Sequence, residues 1–419
     1  MVSLERLYEI FLEHRVVTTD SRNCPEGSIF FALKGERFDG NAYAQAALDK
    51  GCAWAVVDNP QVASGERMLL VDNVLLALQQ LARTHRERLG LPVVGITGTN
   101  GKTTTKELTA AVLGKKFRVA FTQGNLNNSI GVPLTVLRLS EQDDLAVVEM
   151  GASHPGDIKE LVEICRPNYG LITNVGRAHL QGFGSFEGVI NTKCELYDFL
   201  RENGGTAFVN GRDDILMQRS EGLKRQLYAA GEVVACDPML RVKWQGGDVQ
   251  TKLIGTYNLD NVLAAATVGQ AFGVSDADIC AALADYTPTN NRSQFVKTER
   301  NELIVDAYNA NPTSMALAIN NFRQMQKPHK LVVLGDMGEL GDYSEAEHAK
   351  IVSLLEEAQF EGVWLVGPKF AQAAQGKGFR LFADAEEVKQ TLRQDPPQGM
   401  TVLVKGSNAK RLFELPEMF

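Results

Sequence analysis

The segment Gly98-Thr-Asn-Gly-Lys-Thr103 has the residue types of a phosphate-binding loop. Its glycines allow successive backbone N–H groups to face phosphate oxygens, Lys102 can reach the outer phosphates, and the Thr103 hydroxyl can ligate Mg²⁺. The loop departs from the general GxxxxGK[ST] spacing, because Ile96 stands five residues before Gly101. A chance Gly-Lys-Thr in an ordinary turn is disfavoured by the elements on either side. The segment is therefore predicted to be a variant P-loop.

A strand and a helix are predicted to hold this loop in place. Residues 93–97 are mostly apolar and β-branched, as in a buried strand, and an apolar-periodic helix is predicted from Lys102 to Leu113. Strand and helix go on alternating up to about residue 286, with further strands predicted at 118–121, 145–149, 169–174 and 206–209. This alternation predicts a parallel, doubly wound sheet that binds its ligands at the carboxyl ends of the strands.

Two polar residues fall at that edge of the predicted sheet. Glu149 ends the third strand, and His179 lies in the loop after the fourth. A carboxylate at the end of a buried strand beside a P-loop is the expected partner of Mg²⁺. His179 taken alone is typical of an exposed or hydrogen-bonded loop histidine, and an imidazole is an unusual Mg²⁺ ligand. Lys193, on a helix with a regular apolar stripe, has the pattern of an ordinary surface lysine.

The chain is predicted to be an α/β protein of three domains, with boundaries at 1–91, 92–288 and 289–419. These are a small N-terminal α/β domain, the central P-loop domain with its doubly wound sheet, and a C-terminal Rossmann-like α/β domain. A Pro-, Asn- and Ser-rich stretch, 286–294, is predicted to be the second interdomain linker. The last domain lacks the glycine fingerprint of a dinucleotide site, so a nicotinamide cofactor is not expected.

Two further polar groups have two interpretations each. In the first domain, Asp20-Ser-Arg22 and the segment 28–40 place hydroxyl, acidic and basic side chains at predicted strand ends, where α/β sheets bind ligands. Solvated turns explain this pattern equally well. In the central domain, Asn258 and Asn261 could contact a base or cap the helix that follows, and capping is the better interpretation of the pattern alone.

Composition excludes several classes of protein. The formal net charge of −8 argues against a nucleic-acid-binding surface. No apolar run approaches the ~20 residues of a membrane span, and the amphipathic, partly acidic start is not typical of a signal peptide. The six cysteines are scattered without a CxxC pair, which predicts reduced thiols and a cytoplasmic location. A monomer is preferred over an oligomer.

Several motifs together resemble the Mur ligases of peptidoglycan synthesis, and the resemblance extends over all three domains. They are Gly98-Thr-Asn-Gly-Lys-Thr, Glu149-Met-Gly, Thr173-Asn-Val-Gly-Arg-Ala-His179, Thr192-Lys-Cys-Glu and Asp306-Ala-Tyr-Asn-Ala-Asn-Pro. Within the family, the chain is most similar to the member that adds D-alanyl-D-alanine, because of the first-domain elements and Gly124-Asn-Leu-Asn-Asn128. The ligase that adds the third peptide residue typically has Asp-Asn-Pro-Arg in its last domain, whereas this chain has Asp58-Asn-Pro-Gln in its first.

The resemblance implies roles for individual residues. Lys102, Glu149, His179 and Lys193 are implied to be catalytic, with Thr103 and Glu149 as ligands of one Mg²⁺ and His179 and Lys193 serving a second. Lys193 resembles the lysine that is carbamylated in this family. Residues implied to bind ATP are Gly98, Thr99, Asn100, Gly101, Lys102, Thr103 and Thr104, with Asn258 and Asn261 near the adenine, Arg292 near the phosphates and Asp306 near the ribose. Residues implied to bind the other substrates are Asp20, Ser21, Arg22, Ser28, Lys34, Arg37, Asn125, Asn127, Asn128, Tyr308, Asn309 and Asn311.

The implied reaction is ATP-driven amide formation. The terminal carboxylate of UDP-N-acetylmuramoyl-tripeptide attacks the γ-phosphate, and the amine of D-alanyl-D-alanine then attacks the resulting acyl phosphate. Because water must be kept from that intermediate, the three domains are expected to close over the substrates, with hinges near Leu91 and Thr289. Asn291 precedes Arg292, where many relatives have a glycine.

Three alternatives are open at this point. A related P-loop amide ligase, such as a folylpolyglutamate synthase or another Mur enzyme, would share the chemistry, although the Asp20-Ser-Arg22 domain argues against the folate enzyme. An inactive homologue that senses UDP-muramoyl peptides would not need the second metal set, and a simple kinase would not require an amine. The sequence leaves open whether the third peptide residue is diaminopimelate or lysine, and whether D-alanyl-D-lactate is accepted.

Overall fold

The computed structural model describes residues 1–288 and 292–419, so the predicted hinge at Thr289 and the neighbouring Asn291 lie outside the described residues. The helices are α1 (Leu4–Glu13), α2 (Ala44–Asp49), α3 (Val74–Leu89), α4 (Lys102–Leu113), α5 (Gly131–Leu137), α6 (Asp157–Cys165), α7 (Leu180–Phe183), α8 (Phe186–Glu202), α9 (Asp214–Arg219), α10 (Leu259–Ala271), α11 (Asp276–Asp285), α12 (Pro312–Gln324), α13 (Ser344–Ala358), α14 (Pro368–Ala373) and α15 (Ala385–Gln394). The strands are β1 (Val17–Thr18), β2 (Ile29–Phe31), β3 (Lys34–Gly35), β4 (Phe38–Asp39), β5 (Trp54–Val57), β6 (Met68–Leu70), β7 (Val93–Thr97), β8 (Val119–Phe121), β9 (Leu145–Glu149), β10 (Tyr169–Ile172), β11 (Thr206–Val209), β12 (Lys224–Leu227), β13 (Gly231–Cys236), β14 (Met239–Trp244), β15 (Gly247–Ile254), β16 (Gln294–Lys297), β17 (Glu302–Asp306), β18 (Lys330–Gly335), β19 (Gly362–Val366), β20 (Arg380–Phe382) and β21 (Thr401–Lys405).

The first sheet is small and parallel, with the strand order β1-β2-β5-β6. Its amphipathic helix α1 buries Leu7 and Phe11 in a core shared with α3. Helix α3 ends at Gly90, which has a φ of +66°, the left-handed conformation that glycine adopts without strain. The chain then turns at once into the central sheet, so α3 joins the first domain to the central one.

The central sheet is parallel in all its pairings, in the order β12-β11-β10-β7-β9-β8. Strand β7, which comes first in the sequence among the strands of this sheet, lies between β9 and β10, and every residue of β7 is buried. Ile96 is paired with Glu149 and Thr97 with Ile172, so β7, β9 and β10 end at one level. The predicted doubly wound P-loop sheet is confirmed.

Residues 224–254 contain strands that were not predicted. Strands β13, β14 and β15 form an antiparallel sheet that packs on α10 and α11, and β12 extends the central sheet. In β14, Leu240, Val242 and Trp244 are buried and alternate with exposed Arg241 and Lys243. That period of two is the pattern of a half-buried strand, so the signal was present in the sequence.

The last sheet has the order β16-β17-β21-β18-β19-β20 and is parallel except for β16, which pairs antiparallel with β17. The predicted Rossmann-like architecture is confirmed. Strand β16 begins at Gln294, where the linker was predicted to end. In the described part of the chain no helix has the length and apolar character needed to cross a bilayer.

Candidate active site

The P-loop turns sharply between β7 and α4 and leaves no room for side chains at its two glycines. Gly98 has a φ of +140° and Gly101 a φ of +79°. A Cβ added at Gly98 would lie 2.0 Å from Thr173 Oγ1, and one at Gly101 would lie 2.5 Å from Asn261 Oδ1. Glycine is therefore required at both positions, by the backbone conformation and by the close packing of the loop.

Residues that follow β10 hold the loop in its shape. The backbone N–H groups of Thr99 and Asn100 donate to the Asn174 backbone carbonyl at 2.9 Å and to Asn174 Oδ1 at 3.0 Å. The Thr173 hydroxyl donates to the Asn100 carbonyl at 2.6 Å. Asn100 Nδ2 is buried and has no partner among the described residues. A buried donor without a partner fits a ligand that supplies acceptor oxygens, as phosphate does.

Lys102, the first residue of α4, folds back over the loop. Its Nζ donates to the carbonyl oxygens of Gly98 at 2.8 Å and Thr99 at 3.1 Å. Burial lowers the pKa of Lys102 to about 8; Glu149 opposes the shift and Arg292 adds to it. The ammonium is therefore placed at the phosphate-binding loop, with a charge that is lost at mildly alkaline pH.

Thr103 and Glu149 meet at the carboxyl edge of the central sheet. The Thr103 hydroxyl lies 2.9 and 3.0 Å from the two carboxylate oxygens of Glu149, and Asn127 Nδ2 donates to one of them at 2.8 Å. The carboxylate is buried, with Glu149 only 1% exposed. Oxygen donors of this kind are the ligands that Mg²⁺ prefers, so the donor set fits the predicted metal site.

His179 makes a contact that crosses to the third domain. Its Nδ1 contacts a carboxylate oxygen of Glu339, and its ring lies edge-on to Phe183, with the centroids 6.2 Å apart. The hydrogen bond from His179 lowers the pKa of the Glu339 carboxyl. His179 also has a φ of +49°, which is uncommon for a residue other than glycine. The loop is thus held with the imidazole at the boundary between the two domains.

Lys193 is buried, so its interpretation from pattern as a surface lysine is wrong. The residue is 2% exposed, and its Nζ lies 5.3 Å from the centroid of the Phe183 ring. Burial lowers the pKa of Lys193 well below its usual value, and the charge of Lys102 lowers it further. Within the described ranges its amine forms no hydrogen bond and no ion pair. Its surroundings therefore favour the neutral amine.

Asn258 and Asn261 link the helices behind the P-loop. Asn261 Oδ1 accepts from the Thr105 hydroxyl at 3.0 Å, and its Nδ2 donates to Asn258 Oδ1 at 2.8 Å. Asn258 Nδ2 in turn donates to the Ile254 carbonyl at 2.8 Å. No side chain caps α10, so the capping interpretation is wrong. The two amides instead join α4, which carries the P-loop, to α10.

The third domain adds a charged pair and a stacked pair at the end of β17. The Asp306 carboxylate accepts from Lys405 Nζ at 2.5 Å, and the same ammonium donates to the Asn309 carbonyl at 3.2 Å. Lys405 is only 1% exposed, so it fixes Asp306 and the following loop from beneath. The Arg292 guanidinium carbon lies 4.0 Å from the centroid of the Tyr308 ring.

Asn311 connects the third domain to the P-loop. Its Oδ1 accepts from the Ser314 N–H at 2.9 Å and caps α12, and the Ser314 hydroxyl accepts from the Asn311 N–H at 3.2 Å. The Nδ2 of the same side chain donates to Asn100 Oδ1 at 2.8 Å. The Asn311 side chain thus caps the N-terminus of α12 in the third domain and also contacts the P-loop of the central domain.

These elements enclose one cavity of about 770 Å³ between the central and third domains. The predicted site residues that line it are Thr99, Asn100, Gly101, Lys102, Thr104, Asn127, Asn128, Glu149, His179, Asn258, Asn261, Arg292, Asp306, Tyr308 and Asn309. Five other predicted residues of these two domains do not line it, namely Gly98, Thr103, Asn125, Lys193 and Asn311. Asn128 lines the cavity and also has a structural contact, because its Oδ1 accepts from the Gly131 N–H at 2.8 Å at the start of α5.

The first-domain residues do not reach this cavity. Arg22 and Asp20 form a two-bond pair, with Nε and Nη2 donating at 2.9 and 2.8 Å, and Arg22 lowers the pKa of Asp20 to about 2. Lys34 Nζ lies 2.8 Å from Asp58 Oδ1. Ser21 is half-buried and Arg37 is exposed.

Ser28 does not fit the predicted contact with a substrate. It is fully buried, and its hydroxyl donates to the Pro25 carbonyl at 2.6 Å. Ser28 thus closes a turn in the core of the first domain, and its hydroxyl is not accessible to a substrate.

Glu339 and Lys405 lie at the site but were not predicted to have a role. Glu339 belongs to the segment Gly335-Asp-Met-Gly-Glu-Leu-Gly after β18, and Lys405 is the last residue of β21. Both follow the rule that polar residues at the carboxyl ends of parallel strands bind ligands. The sequence pattern could therefore have indicated them, but it gave no reason to place them opposite His179 and Asp306.

Three family models match successive parts of the sequence. The model described as "Mur ligase family, catalytic domain" matches residues 13–86, "Mur ligase middle domain" matches residues 96–269, and "Mur ligase, glutamate ligase domain" matches residues 291–408.

Curated relatives and solved structures agree with these matches. The UDP-N-acetylmuramoyl-tripeptide--D-alanyl-D-alanine ligases of Bacillus subtilis and Escherichia coli are each 34% identical to this chain, over 95% of it and 92% of their own length. A crystal structure of MurF from Acinetobacter baumannii has a TM-score of 0.86 at 33% identity, covering 95% of this chain and 92% of that one. MurF from Thermotoga maritima in complex with ADP has a TM-score of 0.85 at 29% identity, covering 97% of each chain. The family predicted from the motifs is confirmed: the chain belongs to the Mur ligase family.

Proposed function

We propose that this protein is an ATP-dependent ligase that joins D-alanyl-D-alanine to the terminal carboxylate of UDP-N-acetylmuramoyl-tripeptide, giving the pentapeptide precursor of peptidoglycan. The relatives that are 34% identical over 95% of the chain carry this activity in their names. The observation that carries the proposal is that the P-loop, Glu149 and residues 306, 308 and 309 of the third domain open onto one cavity. Such a cavity brings a nucleotide together with a second and a third reactant.

The reaction must overcome repulsion between two anions. A carboxylate is a poor acylating agent, so it has to be converted into an acyl phosphate, and this requires a carboxylate oxygen to approach the γ-phosphate. The ammonium of Lys102 and the N-terminus of α4 would place positive charge at that point, whereas the N–H groups of Thr99 and Asn100 are already bonded to Asn174. The site is thus suited to the first step.

The proposed chemistry consists of two nucleophilic substitution steps. The carboxylate oxygen bonds to the γ-phosphorus while the bond from that phosphorus to the bridging oxygen breaks, and ADP leaves. The neutral amine of D-alanyl-D-alanine then bonds to the acyl carbon, the bond from carbon to the phosphate oxygen breaks, and inorganic phosphate leaves. The proton of the amine is released to solvent. The cavity walls from two domains would limit hydrolysis of the intermediate by water.

Mg²⁺ is part of this proposal. In the described ranges no group of three or more His, Cys, Asp and Glu residues could hold a metal ion alone. Mg²⁺ commonly takes only one or two protein ligands and completes its shell with phosphate and water, so Thr103 and Glu149 are sufficient. A bound Mg²⁺ would neutralise phosphate charge there. An imidazole and an amine are poor Mg²⁺ ligands, so His179 and Lys193 would serve a second ion only if Lys193 were modified.

Lys193 has the properties that carbamylation requires. Its buried amine is favoured in the neutral form, which can attack carbon dioxide; the new N–C bond and the loss of one proton convert the side chain into an anion. The resulting carboxylate oxygens would be suitable for Mg²⁺.

The remaining predicted contacts are part of the proposal as well. Asn258 and Asn261 are proposed near the adenine, Asp306 near the ribose and Arg292 near the phosphates. Tyr308, Asn309 and Asn311 are proposed to contact the other substrates from the third domain, and Asn125, Asn127 and Asn128 from the central one. The exposed pair Asp20–Arg22, with Ser21, Lys34 and Arg37, is proposed to hold the uridine diphosphate end in the first domain, 1–91. The protein is proposed to be a cytoplasmic monomer with no membrane and no nucleic-acid partner.

The test is phosphate release from ATP and Mg²⁺ in a matrix of added substrates, with mass spectrometry of the UDP-linked product. We expect phosphate release only when both UDP-N-acetylmuramoyl-tripeptide and D-alanyl-D-alanine are present. The UDP-linked product should then be heavier by two alanine residues. Diaminopimelate and lysine forms of the tripeptide, and D-alanyl-D-lactate, are compared in the same matrix. Phosphate release without the amine would favour a kinase, and nucleotide binding without any release would favour a sensor.

A further inference from the structure

A second cavity, of about 390 Å³, lies at the opposite edge of the central sheet from the active site. Its lining includes Asn168 and Tyr169, where β10 begins, Thr206, where β11 begins, and Lys224, where β12 begins. The last turn of α3, with Arg86, completes it. The cavity is therefore at the amino ends of the strands, where the first and central domains meet.

Four charged side chains neutralise one another at this cavity, and two of them, Glu87 and Arg166, belong to its lining. Arg83 contacts Glu87 at 3.1 Å and Glu163 at 3.2 Å, and Arg166 contacts the same two carboxylates at 3.5 and 3.0 Å. Two positive and two negative charges thus form a balanced network. None of this charge is left for a ligand.

Arg86 has no carboxylate partner in this network. It is 95% buried, since only 5% of it is exposed, and it uses Nε and Nη2 to donate to the Cys165 carbonyl at 3.1 Å, the Arg166 carbonyl at 3.2 Å and Asn168 Oδ1 at 2.8 Å. All three acceptors are neutral. Its Nη1 has no hydrogen-bond partner among residues 1–288 and 292–419. Burial lowers the pKa of Arg86, and the nearby Glu87 opposes that shift. Glu87 is already paired with Arg83 and Arg166, so no carboxylate in the described residues is bonded to the Arg86 guanidinium, which leaves a buried charge that an anion would stabilise.

Lys224 is the second cation without a counter-charge. It is exposed at the start of β12, it lines the same cavity, and its ammonium makes no ion pair with any residue in the described part of the chain. Arg86 and Lys224 therefore line one cavity, and neither forms an ion pair within the described residues.

The helix ends at this edge do not explain both cations. Helices α3, α6 and α8 end near the cavity, and their last carbonyl groups carry partial negative charge. The carbonyls of Cys165 and Arg166 accept from Arg86 Nε and Nη2, which accounts for those donors. Among the described residues, no carbonyl or carboxylate oxygen is bonded to Arg86 Nη1 or to the Lys224 ammonium.

We propose that this cavity binds a phosphate-class dianion, either inorganic phosphate or the phosphate group of a small phosphomonoester, between Arg86 and Lys224. Two positive charges match the charge of the ligand, and a planar guanidinium suits phosphate oxygens. Because Arg86 belongs to α3 and Lys224 to the central sheet, the bound anion ties the first domain to the central one. The site does not depend on the proposed ligase activity.

The first experiment measures protection of one lysine in the intact protein. The chain is treated with a limiting amount of an acetylating N-hydroxysuccinimide ester, and modification of each lysine is followed by peptide mass spectrometry. Inorganic phosphate and glycerol 3-phosphate are tested separately against sodium chloride of equal ionic strength. We expect either anion to slow modification of Lys224 at least about threefold and to leave Lys243, an exposed lysine on β14, unchanged.

The second experiment removes competition from the P-loop and tests the contribution of the charge. In a Lys102→Ala background, phosphate should raise the melting temperature, and adding Lys224→Ala should weaken the apparent affinity about fivefold, whereas adding Lys243→Ala should not change it. Lys224→Arg, which keeps the charge, should retain the affinity. Protection by both anions assigns the site to phosphate itself, and protection by glycerol 3-phosphate alone assigns it to a phosphomonoester. Equal protection of Lys224 and Lys243, or equal protection by chloride, would overturn the proposal.

Discussion

The hydrogen bond between Asn311 and Asn100 gives the sharpest test of coupling between the third domain and the P-loop. Asn311 Nδ2 donates to Asn100 Oδ1 at 2.8 Å across the two domains. Asn100→Ala leaves the loop held through the Asn100 backbone N–H and carbonyl, but it removes two side-chain groups: Oδ1, which accepts from Asn311, and the buried Nδ2 that fits a phosphate oxygen. Asn311→Ala removes the same contact from the other side.

The size of each effect follows from the contacts. A hydrogen bond of this kind contributes about 0.5–1.5 kcal/mol, so either variant should lower kcat/KM roughly two- to tenfold through this bond alone. The double variant should cost less than the sum of the two single losses by about the free energy of this bond, because the bond is the one interaction that both changes remove. Asn311→Ala also removes the cap of α12 and should destabilise the fold by about 1 kcal/mol more.

A third variant separates the cap from the contact between domains. Asn311→Ser keeps an oxygen that can cap α12 but lacks the amide donor, so it should restore stability in urea unfolding without restoring kcat/KM for phosphate release. The double-mutant cycle of Asn100→Ala and Asn311→Ala is measured in the same assay. Additive losses, with a coupling energy below about 0.3 kcal/mol, would refute the coupling of the third domain to the P-loop.

Three further predictions concern the cations and the proposed metal ligand. Because the pKa of Lys102 is lowered to about 8, its ammonium is mostly present at pH 7 and mostly lost at pH 9. ATP affinity measured by calorimetry should therefore fall about tenfold between these two pH values. An affinity that does not change with pH would contradict the role of the Lys102 charge. Lys193→Ala should nearly abolish turnover while leaving ATP binding largely intact, with partial recovery on adding a short carboxylic acid; undiminished turnover would exclude the carbamate. Thr103→Val, which removes the hydroxyl bonded to Glu149, should raise the Mg²⁺ concentration needed for half-maximal phosphate release, whereas Thr103→Ser should not; an identical Mg²⁺ dependence in Thr103→Val would remove Thr103 from the metal site.

The local sequence pattern predicted the structure correctly where a single segment determines it. The run from Val93 to Thr97 is β-branched and apolar, and Gly98 and Gly101 stand where the backbone must take positive φ values, so strand, loop and helix were predicted with their observed bounds. Glu149 was placed correctly at the carboxyl edge because parallel strands end at one level.

The sequence pattern did not predict burial and contacts that depend on how separate elements pack together. Lys193 lies on a helix with a regular apolar stripe, but α6 and α7 pack on that helix and the Phe183 ring lies against the Lys193 amine. The contact of His179 with Glu339 joins two loops that are far apart in the chain, and it depends on how the third domain docks on the central one. No periodicity within a single segment encodes such docking, whereas the alternation in β14 lies within one segment and is visible in the sequence.

The central claim is that the protein activates a carboxylate as an acyl phosphate within the cavity that contains the P-loop. The most direct measurement uses UDP-N-acetylmuramoyl-tripeptide whose terminal carboxylate carries ¹⁸O at both oxygens, together with ATP, Mg²⁺ and D-alanyl-D-alanine, and follows the label by mass spectrometry. An acyl phosphate leaves one carboxylate oxygen on the phosphorus, so the account predicts that one ¹⁸O atom appears in the inorganic phosphate for each amide formed. Amide formation with unlabelled phosphate would contradict it.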